Sequence, residues 1–140
     1  MPPAVTHVVD ASALIAYFKQ EPGHERVAAL LMDERNNLVI HAVNLCEVYY
    51  GYLQSDGLEK ANEAWEDASM LLGILGIPPE AMTEDLVKRV GRWKAQKKLG
   101  LGDSFLAATA EEYAAVLVTA DHDDFDPIQQ AGLIQIDFIR

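Results

Sequence analysis

The sequence predicts an α/β protein in which a parallel sheet is flanked by helices. Short strand-like segments alternate with helical ones along the 140 residues, as they do in proteins with parallel sheets. Two of these strands, Val8-Val9 and Val116–Thr119, are apolar and rich in β-branched residues, which suits strands that are covered on both faces. Each of the two strands leads directly to an aspartate, Asp10 or Asp121.

Five elements are predicted in the first half of the chain. The β-branched residues before Asp10 favour a strand, and Ser12 can cap the helix that follows it. Pro22-Gly23 breaks the chain before a segment in which apolar residues recur at helical spacing. Asn44 is placed to cap the next helix. The predicted order is strand 6–9, helix 11–18, helix 24–33, strand 38–40 and helix 44–53.

The second half continues the alternation. A long helix is predicted over 58–75, with Trp65 and Leu72 facing inward, and a brief extended link at 77–78. Thr83 can cap the following helix, which has acidic residues in its first turn and basic residues toward its end, the order that the helix dipole favours. The remaining predicted elements are helix 103–113, strand 116–119 and an edge-like strand at 134–136.

Length and composition predict one domain over residues 1–140. Half of the residues are apolar and about a quarter are charged, and a chain of this length can bury a single core. No segment approaches the roughly 20 apolar residues of a membrane span, and no basic and then apolar leader follows Met1, so we expect the protein in the cytoplasm. Cys46 is the single cysteine, which excludes an internal disulfide and a zinc site built from cysteines. We expect Cys46 to be a small buried residue.

The charge of the chain is strongly negative but unevenly distributed. Twenty-two acidic residues against 11 basic ones give a net charge of −11, which argues against a protein that holds nucleic acid through its overall field. A stretch with many basic residues is either a solvated helix face or a patch that contacts phosphates. Six of the 11 basic residues fall in one such stretch, namely Lys88, Arg89, Arg92, Lys94, Lys97 and Lys98.

Four acidic residues occupy equivalent places at the ends of the predicted elements. Asp10 and Asp121 follow the two apolar strands. Glu47 and Asp103 lie near the starts of helices that begin at the same edge of the sheet. Each also has a structural interpretation, since Glu47 could form a capping box with Asn44. Asp103 could cap its own helix, and Asp121 could open a turn.

If these acids meet at one site, they need a cation. Closely spaced carboxylates repel one another, which raises one or more of their pKa values unless a positive ion lies between them. Carboxylate ligands suit Mg²⁺ or Mn²⁺ far better than zinc, and such an ion serves phosphate chemistry because it orients and deprotonates a water. Ser12 and Thr119 lie beside two of the acids. Their hydroxyls could orient this water or a phosphate oxygen, or could serve only as a cap and a turn bond.

The segments that carry these acids follow one another at a characteristic spacing. They are Val8-Val9-Asp10-Ala11-Ser12, Asn44-Leu45-Cys46-Glu47-Val48, the run from Leu101-Gly102-Asp103 to Ala110, and the run from Leu117 to Phe125. Together they resemble the successive motifs of PIN-domain nucleases. The length of the chain is most similar to that of the VapC-type toxins of bacterial and archaeal toxin–antitoxin pairs.

This resemblance implies a three-layer α/β/α sandwich with a short, mostly parallel sheet, and the activity of a Mg²⁺- or Mn²⁺-dependent endoribonuclease. Members of the group usually form homodimers and are held inactive by a small antitoxin whose tail reaches into the acidic groove. Asp124 is a second candidate for the fourth acid, alone or together with Asp121. Carried over position by position, the catalytic and metal-binding acids would be Asp10, Glu47, Asp103 and Asp121, with Ser12 and Thr119 as supporting hydroxyls.

The basic stretch gains a role from the same resemblance. Lys94, Lys97 and Lys98 lie just before Asp103, and Arg92 precedes them by less than one helical turn. An RNA backbone needs cations near, but not inside, a site built from a metal ion and carboxylates. We therefore expect these four residues to contact the RNA substrate.

Other functions fit the sequence less well. Hydrolases with an aspartate nucleophile at the end of the first strand expect a second aspartate two residues later, where this chain has Ser12. A response-regulator receiver domain would need paired acids before its aspartate and a lysine near the end of a late strand. The stronger alternative is a PIN-like fold kept as a binding or scaffolding module. That alternative usually goes with the loss of one or more of the acids, and all four are present here.

Overall fold

The structure is a computed structural model that describes residues 4–75, 79–80 and 82–140. Helices and strands alternate through these residues, and none of the helices combines the length and the hydropathy that crossing a bilayer requires. The strands are β1 (His7–Val9), β2 (Leu38–His41), β3 (Pro79–Glu80), β4 (Val116–Thr119) and β5 (Ile136–Phe138). The helices are α1 (Ala11–Lys19), α2 (His24–Met32), α3 (Ala42–Asp56), α4 (Leu58–Leu75), α5 (Glu84–Lys97), α6 (Leu101–Tyr113) and α7 (His122–Gln130).

The described strands form one parallel sheet in the order β3-β2-β1-β4-β5. In this sheet, Val8 of β1 is opposite Val39 of β2 and Leu117 of β4. The chain adds β2 and β3 on one side of β1, and β4 and β5 on the other, so the strand order reverses between β1 and β4. At such a point a crevice opens outside the carboxyl ends of the strands. Asp10 and Asp121 follow the two strands that border this crevice.

Helices cover both faces of the sheet, so the predicted α/β class is confirmed. Val9 and Val118 belong to a core cluster that includes residues of α1, α2, α3 and α4. Val8 and Leu117 belong to a second cluster, which includes residues of α5, α6 and α7. Because neighbouring residues of a strand point to opposite faces, each apolar pair supplies one side chain to each core.

The start of α3 differs from the prediction. The helix begins at Ala42, directly after β2, and His41 is its cap, since the His41 Nδ1 accepts a hydrogen bond of 3.1 Å from the Val43 amide. Asn44 therefore lies inside the first turn rather than at the cap. Its side chain is free to meet Glu47 one turn later. The predicted cap at Thr83, in contrast, is confirmed by a bond of 3.1 Å from the Leu86 amide to the Thr83 hydroxyl.

Two side chains near α3 and α4 lie outside, contrary to the prediction. Trp65 is 47% exposed, because the buried stripe of α4 consists of the small residues Ala61, Ala64 and Ala68 instead. These alanines permit close packing, and the large indole is left on the surface. Cys46 is also exposed rather than buried. Leu72 does pack partly against the first core cluster, as expected.

The helix α7 was not predicted from the sequence. Its inner face carries Phe125 and Ile128, both buried, at helical spacing. Pro127 lies inside the helix. Because proline lacks an amide proton and usually interrupts a helix, the sequence of this segment resembles that of a turn. The last strand is Ile136–Phe138, two residues later than predicted. The predicted link at 77–78 lies outside the described residues.

Candidate active site

Asp10 lies at the carboxyl end of β1 and is buried, with 5% of its surface exposed. One carboxylate oxygen, Oδ2, accepts a hydrogen bond of 2.8 Å from the Ser12 hydroxyl and another of 2.8 Å from the Thr119 hydroxyl. Burial raises the pKa of Asp10, and these two hydrogen bonds oppose the shift because they stabilise the charged form. A buried acid held in this way has a fixed position.

Ser12 and Thr119 also join the ends of β1 and β4. Their hydroxyl oxygens are 3.3 Å apart. The Ser12 oxygen accepts a hydrogen bond of 3.0 Å from the Ala120 amide, and the Thr119 oxygen accepts one of 3.0 Å from the Asp121 amide. The two hydroxyls therefore position the backbone before Asp121 as well as the carboxylate of Asp10.

Three further carboxylates meet beside this pair of strands. Asp103 lies in the first turn of α6, Asp121 caps α7 and Asp124 lies in the first turn of α7. One carboxylate oxygen from each residue can be chosen so that all three lie within 4.8 Å of one another. The Oδ1 of Asp121 also accepts a hydrogen bond of 3.1 Å from the Asp124 amide, so Asp121 is both a cap and a member of the cluster.

The pKa values of this group reflect the repulsion between its like charges. The pKa of Asp103 is raised to about 8, first by burial, then by a hydrogen bond to Asp124, and then by the charge of Asp10 and the other two acids of the group. The pKa of Asp121 is also raised, chiefly by burial. The cluster therefore holds a proton more tightly than separate carboxylates would, unless a cation replaces it. Hard carboxylate oxygens at this spacing suit a divalent ion such as Mg²⁺ or Mn²⁺.

Glu47 approaches the same site from α3. Its Oε1 accepts a hydrogen bond of 2.8 Å from the Asn44 side-chain amide, and its carboxylate lies against the α-carbon of Gly102, next to Asp103. The pKa of Glu47 is raised by burial and by the charge of Asp10, while the bond from Asn44 opposes the shift. Of the four acids predicted from the sequence, Asp103 and Asp121 thus meet, together with Asp124. Asp10 lies close enough that its charge raises the pKa values of Glu47, Asp103 and Asp121.

The basic residues of α5 divide into two groups. Lys88 pairs with Glu84 at 2.9 Å, and Arg89 pairs with Asp85 at 2.7 Å. The Lys94 ammonium donates to the Leu99 carbonyl at 3.1 Å and so closes the end of the helix. Within the part of the chain that the structure describes, the remaining residues have no ion pair; they are Arg92, Lys97 and Lys98.

These three cations line two neighbouring cavities that share Lys97 and Leu133. The first cavity has a volume of about 300 Å³, and its lining includes Lys97 and Lys98 together with Asp123 and Asp124 of α7. The second cavity, of about 200 Å³, contains Arg92 in its lining and shares the Lys97 wall with the first. We call the surface formed by these two cavities, with Arg92, Lys97 and Lys98 in its lining, the basic groove.

The sequence profile of the PIN domain matches residues 7–129. The chain belongs to the PIN-domain family. The resemblance to PIN domains noted in the sequence is therefore confirmed. No protein of curated function matches the sequence.

Several solved structures have a fold similar to that of this PIN domain. A toxin–antitoxin complex from Klebsiella pneumoniae aligns with a TM-score of 0.70 at 19% identity, covering 96% of this chain and 98% of the other. VapBC2 from Rickettsia felis, bound to a DNA fragment from its promoter, aligns with a TM-score of 0.70 at 17% identity and the same coverage. The sarcin-ricin loop cleaving toxin VapC20 of Mycobacterium tuberculosis aligns with a TM-score of 0.69 at 17% identity, covering 93% and 98% of the two chains.

Two features of this PIN domain site were missed by reasoning from the sequence. Asn44 was interpreted as a cap, although its spacing from Glu47 also places the two side chains on one helix face. Gly102 precedes the predicted helix 103–113, yet it is a helical residue against which a carboxylate packs. The first signal was available in the sequence, whereas the second depends on how α3 and α6 meet in space.

Proposed function

We propose that this PIN domain is a Mg²⁺- or Mn²⁺-dependent endoribonuclease and the toxin of a toxin–antitoxin pair. The observation that carries the proposal is the meeting of carboxylate oxygens from Asp103, Asp121 and Asp124 within 4.8 Å, beside Asp10 and Glu47. Bringing these charges together is unfavourable without a cation, as the raised pKa of Asp103 indicates. A site that is costly to assemble and serves no packing role is best explained by its chemistry.

The residues fit a divalent ion of this kind. Asp103, Asp121 and Asp124 would hold it, with Asp10 and Glu47 adjacent, and all five offer hard oxygen ligands. When bound, Mg²⁺ or Mn²⁺ would neutralise charge on the phosphate and lower the pKa of the attacking water. We propose that Asp121 and Asp124 share the role of the fourth acid, since one is the cap of α7 and the other lies in its first turn.

The side chains of the PIN domain then have distinct tasks. Ser12 and Thr119 fix the carboxylate of Asp10 by two hydrogen bonds of 2.8 Å. Glu47 is held beside the cluster by the hydrogen bond from Asn44, where its carboxylate would accept a proton from the attacking water. The water oxygen forms the new bond to phosphorus as the bond to the leaving ribose oxygen breaks. In this scheme no side chain acts as the nucleophile.

We propose that the RNA backbone leaves the acid cluster along the basic groove. Lys97 and Lys98 face Asp123 and Asp124 across the first cavity, so a phosphate next to the cleaved one would meet their ammonium groups. Arg92 lies farther along, in the second cavity. Lys94 was also expected to bind RNA, and its ammonium is instead engaged by the Leu99 carbonyl; we assign it a lesser, supporting contact.

The partners we propose are a second copy of the chain and an antitoxin with a basic segment. Support comes from the structural neighbours, several of which are toxin–antitoxin complexes, and from the net charge of −11, which favours a basic partner. An exposed apolar surface is available for such contacts, where Tyr49, Tyr50 and Trp65 line a cavity of about 580 Å³. Tyr52, which lies in the same helix as the two tyrosines, is buried in the core.

Cleavage of RNA tests the activity directly. Purified protein is incubated with total RNA and Mn²⁺ or Mg²⁺, and the products are mapped. We expect cleavage that EDTA abolishes and that Asp10→Asn removes while the melting temperature shows that the variant is folded. If all RNAs stay intact and Asp10→Asn changes nothing, the nuclease proposal fails and the alternative of a binding or scaffolding module is favoured.

Light scattering of the purified protein, alone and with the product of a neighbouring small reading frame, tests the two partners.

A further inference from the structure

We propose that Asn44 and Gly102 are positioning residues that together fix the carboxylate of Glu47 at the metal site. The proposal rests on the proposed function, because it concerns the same site. Neither residue is one of the acids that the PIN-domain motifs supply, so neither has yet been given a role at this site. Both contact Glu47, one from its own helix α3 and the other from α6.

Asn44 holds Glu47 from one side. Its side-chain amide donates a hydrogen bond of 2.8 Å to the Oε1 of Glu47 and a longer one of 3.4 Å to the Gly102 carbonyl. The residue is fully buried, and its own oxygen, Oδ1, has no hydrogen-bond partner among the described residues. Burying an unpartnered oxygen is unfavourable, so packing alone would favour an apolar side chain here. The side-chain amide of Asn44 is therefore explained by the hydrogen bond that it donates to Glu47.

Gly102 makes room for Glu47 from the other side. A β-carbon at this position would lie 2.5 to 2.6 Å from the carboxylate oxygens and carbon of Glu47, which is closer than atoms can approach. Gly102 lies in the first turn of α6 with an ordinary helical backbone, where alanine is more favourable than glycine. The glycine therefore lowers the stability of the helix and leaves space for the carboxylate.

A structural role and a positioning role predict opposite results for stability. If Gly102 serves folding, Gly102→Ala should lower the melting temperature. If it serves Glu47, the added methyl group displaces only the end of a flexible side chain, so the melting temperature should stay the same or rise. The same reasoning applies to Asn44→Val, which removes both the donor and the unpartnered oxygen. Gly91→Ala is the matched control, because Gly91 lies in helix α5 and no atom of the residues that the structure describes lies within 4 Å of the position of its β-carbon.

The test is calorimetric titration of Mn²⁺ into the purified full chain, combined with thermal melting. We expect Gly102→Ala and Asn44→Val to weaken Mn²⁺ binding on the order of tenfold without lowering the melting temperature, and Gly91→Ala to leave binding unchanged. In a Glu47→Ala background neither substitution should weaken binding further, because each acts only through Glu47.

Unchanged Mn²⁺ binding in folded Gly102→Ala and Asn44→Val would overturn the inference. It would also be overturned if each substitution weakened Mn²⁺ binding as much in the Glu47→Ala background as in the wild type. If one of the two variants does not fold, the other carries the test. A wild-type protein that binds Mn²⁺ but cuts no RNA would refute the proposed nuclease and leave the positioning result standing. A wild-type protein that binds no Mn²⁺ would overturn both.

Discussion

Thr119 donates a hydrogen bond of 2.8 Å from its hydroxyl to the carboxylate of Asp10, across 109 positions of sequence. This bond joins the ends of the two strands at which the order of the sheet reverses. Parallel strands bring distant residues to one edge, and a buried acid there needs donors to remain in place. The site is therefore tied to the topology of the sheet, and changes at this edge should affect stability and activity together.

Thr119→Val tests this link. The substitution preserves the shape of the side chain but removes the donor to Asp10 and the acceptor for the Asp121 amide. We expect a loss of about 1–3 kcal/mol in the free energy of unfolding and a fall in RNA cleavage on the order of tenfold. Thr109→Val is the matched control, since among the described residues the buried Thr109 hydroxyl bonds only to the Phe105 carbonyl within α6. Urea unfolding and cleavage rates measure both; equal effects of the two variants on cleavage would contradict the assigned role of Thr119.

The pKa of Asp103 predicts how stability depends on pH when no divalent ion is present. The value rises from an ordinary 3.8 to about 8 in the folded protein, so the unfolded chain loses its proton first as the pH increases. This contribution to stability is complete below the unfolded pKa and is lost as the pH rises through the folded one. We expect the melting temperature in EDTA to fall between pH 5 and pH 8.

Asp103→Asn should flatten that pH dependence, because the amide does not ionise. Mn²⁺ should raise the melting temperature of the wild type more at pH 8 than at pH 5, since the ion competes with the proton for the same oxygens. Melting curves at the two pH values, with and without Mn²⁺, provide the measurement. A variant as sensitive to pH as the wild type would show that another group is responsible.

Much of this arrangement could be predicted from the sequence, for a physical reason. Buried strands are apolar runs with a sharp end, so the acids that follow β1 and β4 are visible as Asp10 and Asp121. Helix periodicity and the Thr83 cap are likewise local signals. Local signals of this kind predict where each helix or strand lies and which of its ends carries a charged residue.

The features that were wrong or missed depend on contacts between elements. Trp65 was expected to face inward because it is large and apolar, but the packing of α4 against α3 selects small residues for the interface. The helix α7 was hidden by Pro127, whose effect on a helix depends on the packing of Phe125 and its neighbours. The hydrogen bond from the Lys94 ammonium to the Leu99 carbonyl likewise depends on the fold and was missed, whereas the contact of Lys94 with RNA stays a prediction.

The basic groove predicts that Lys97 and Lys98 carry more of the RNA affinity than other lysines of α5. Lys97→Gln and Lys98→Gln remove unpaired cations, whereas Lys88→Gln removes the same charge from a residue already paired with Glu84. We expect each of the first two to weaken binding of single-stranded RNA and to lower the slope of log affinity against log salt by roughly 0.7. Fluorescence anisotropy in the catalytically inactive Asp10→Asn background measures binding without cleavage. Equal losses for all three variants would refute a localised groove.

Two glycines with positive φ should differ in how much they tolerate a side chain. Gly23 (φ 97°) precedes α2, and a β-carbon there would overlap the backbone carbonyl of Ile139. Gly57 (φ 93°) has no atom of the described residues within 4 Å of that position. Gly57→Ala should cost only the backbone conformation, about 1–3 kcal/mol, because φ 93° with ψ 175° is a region that L residues avoid. Gly23→Ala should cost more, because the end of the chain must move away. Urea unfolding compares the two, and equal costs would contradict the packing of Ile139 on Gly23.

The central claim is that carboxylates from separate elements meet to hold one divalent cation site. Anomalous scattering from a crystal of the protein soaked in Mn²⁺ tests it most directly. The account predicts a Mn²⁺ peak in contact with Asp103, Asp121 and Asp124 that disappears in crystals of Asp103→Asn. A Mn²⁺ peak bound elsewhere, or the same peak in the variant, would contradict it.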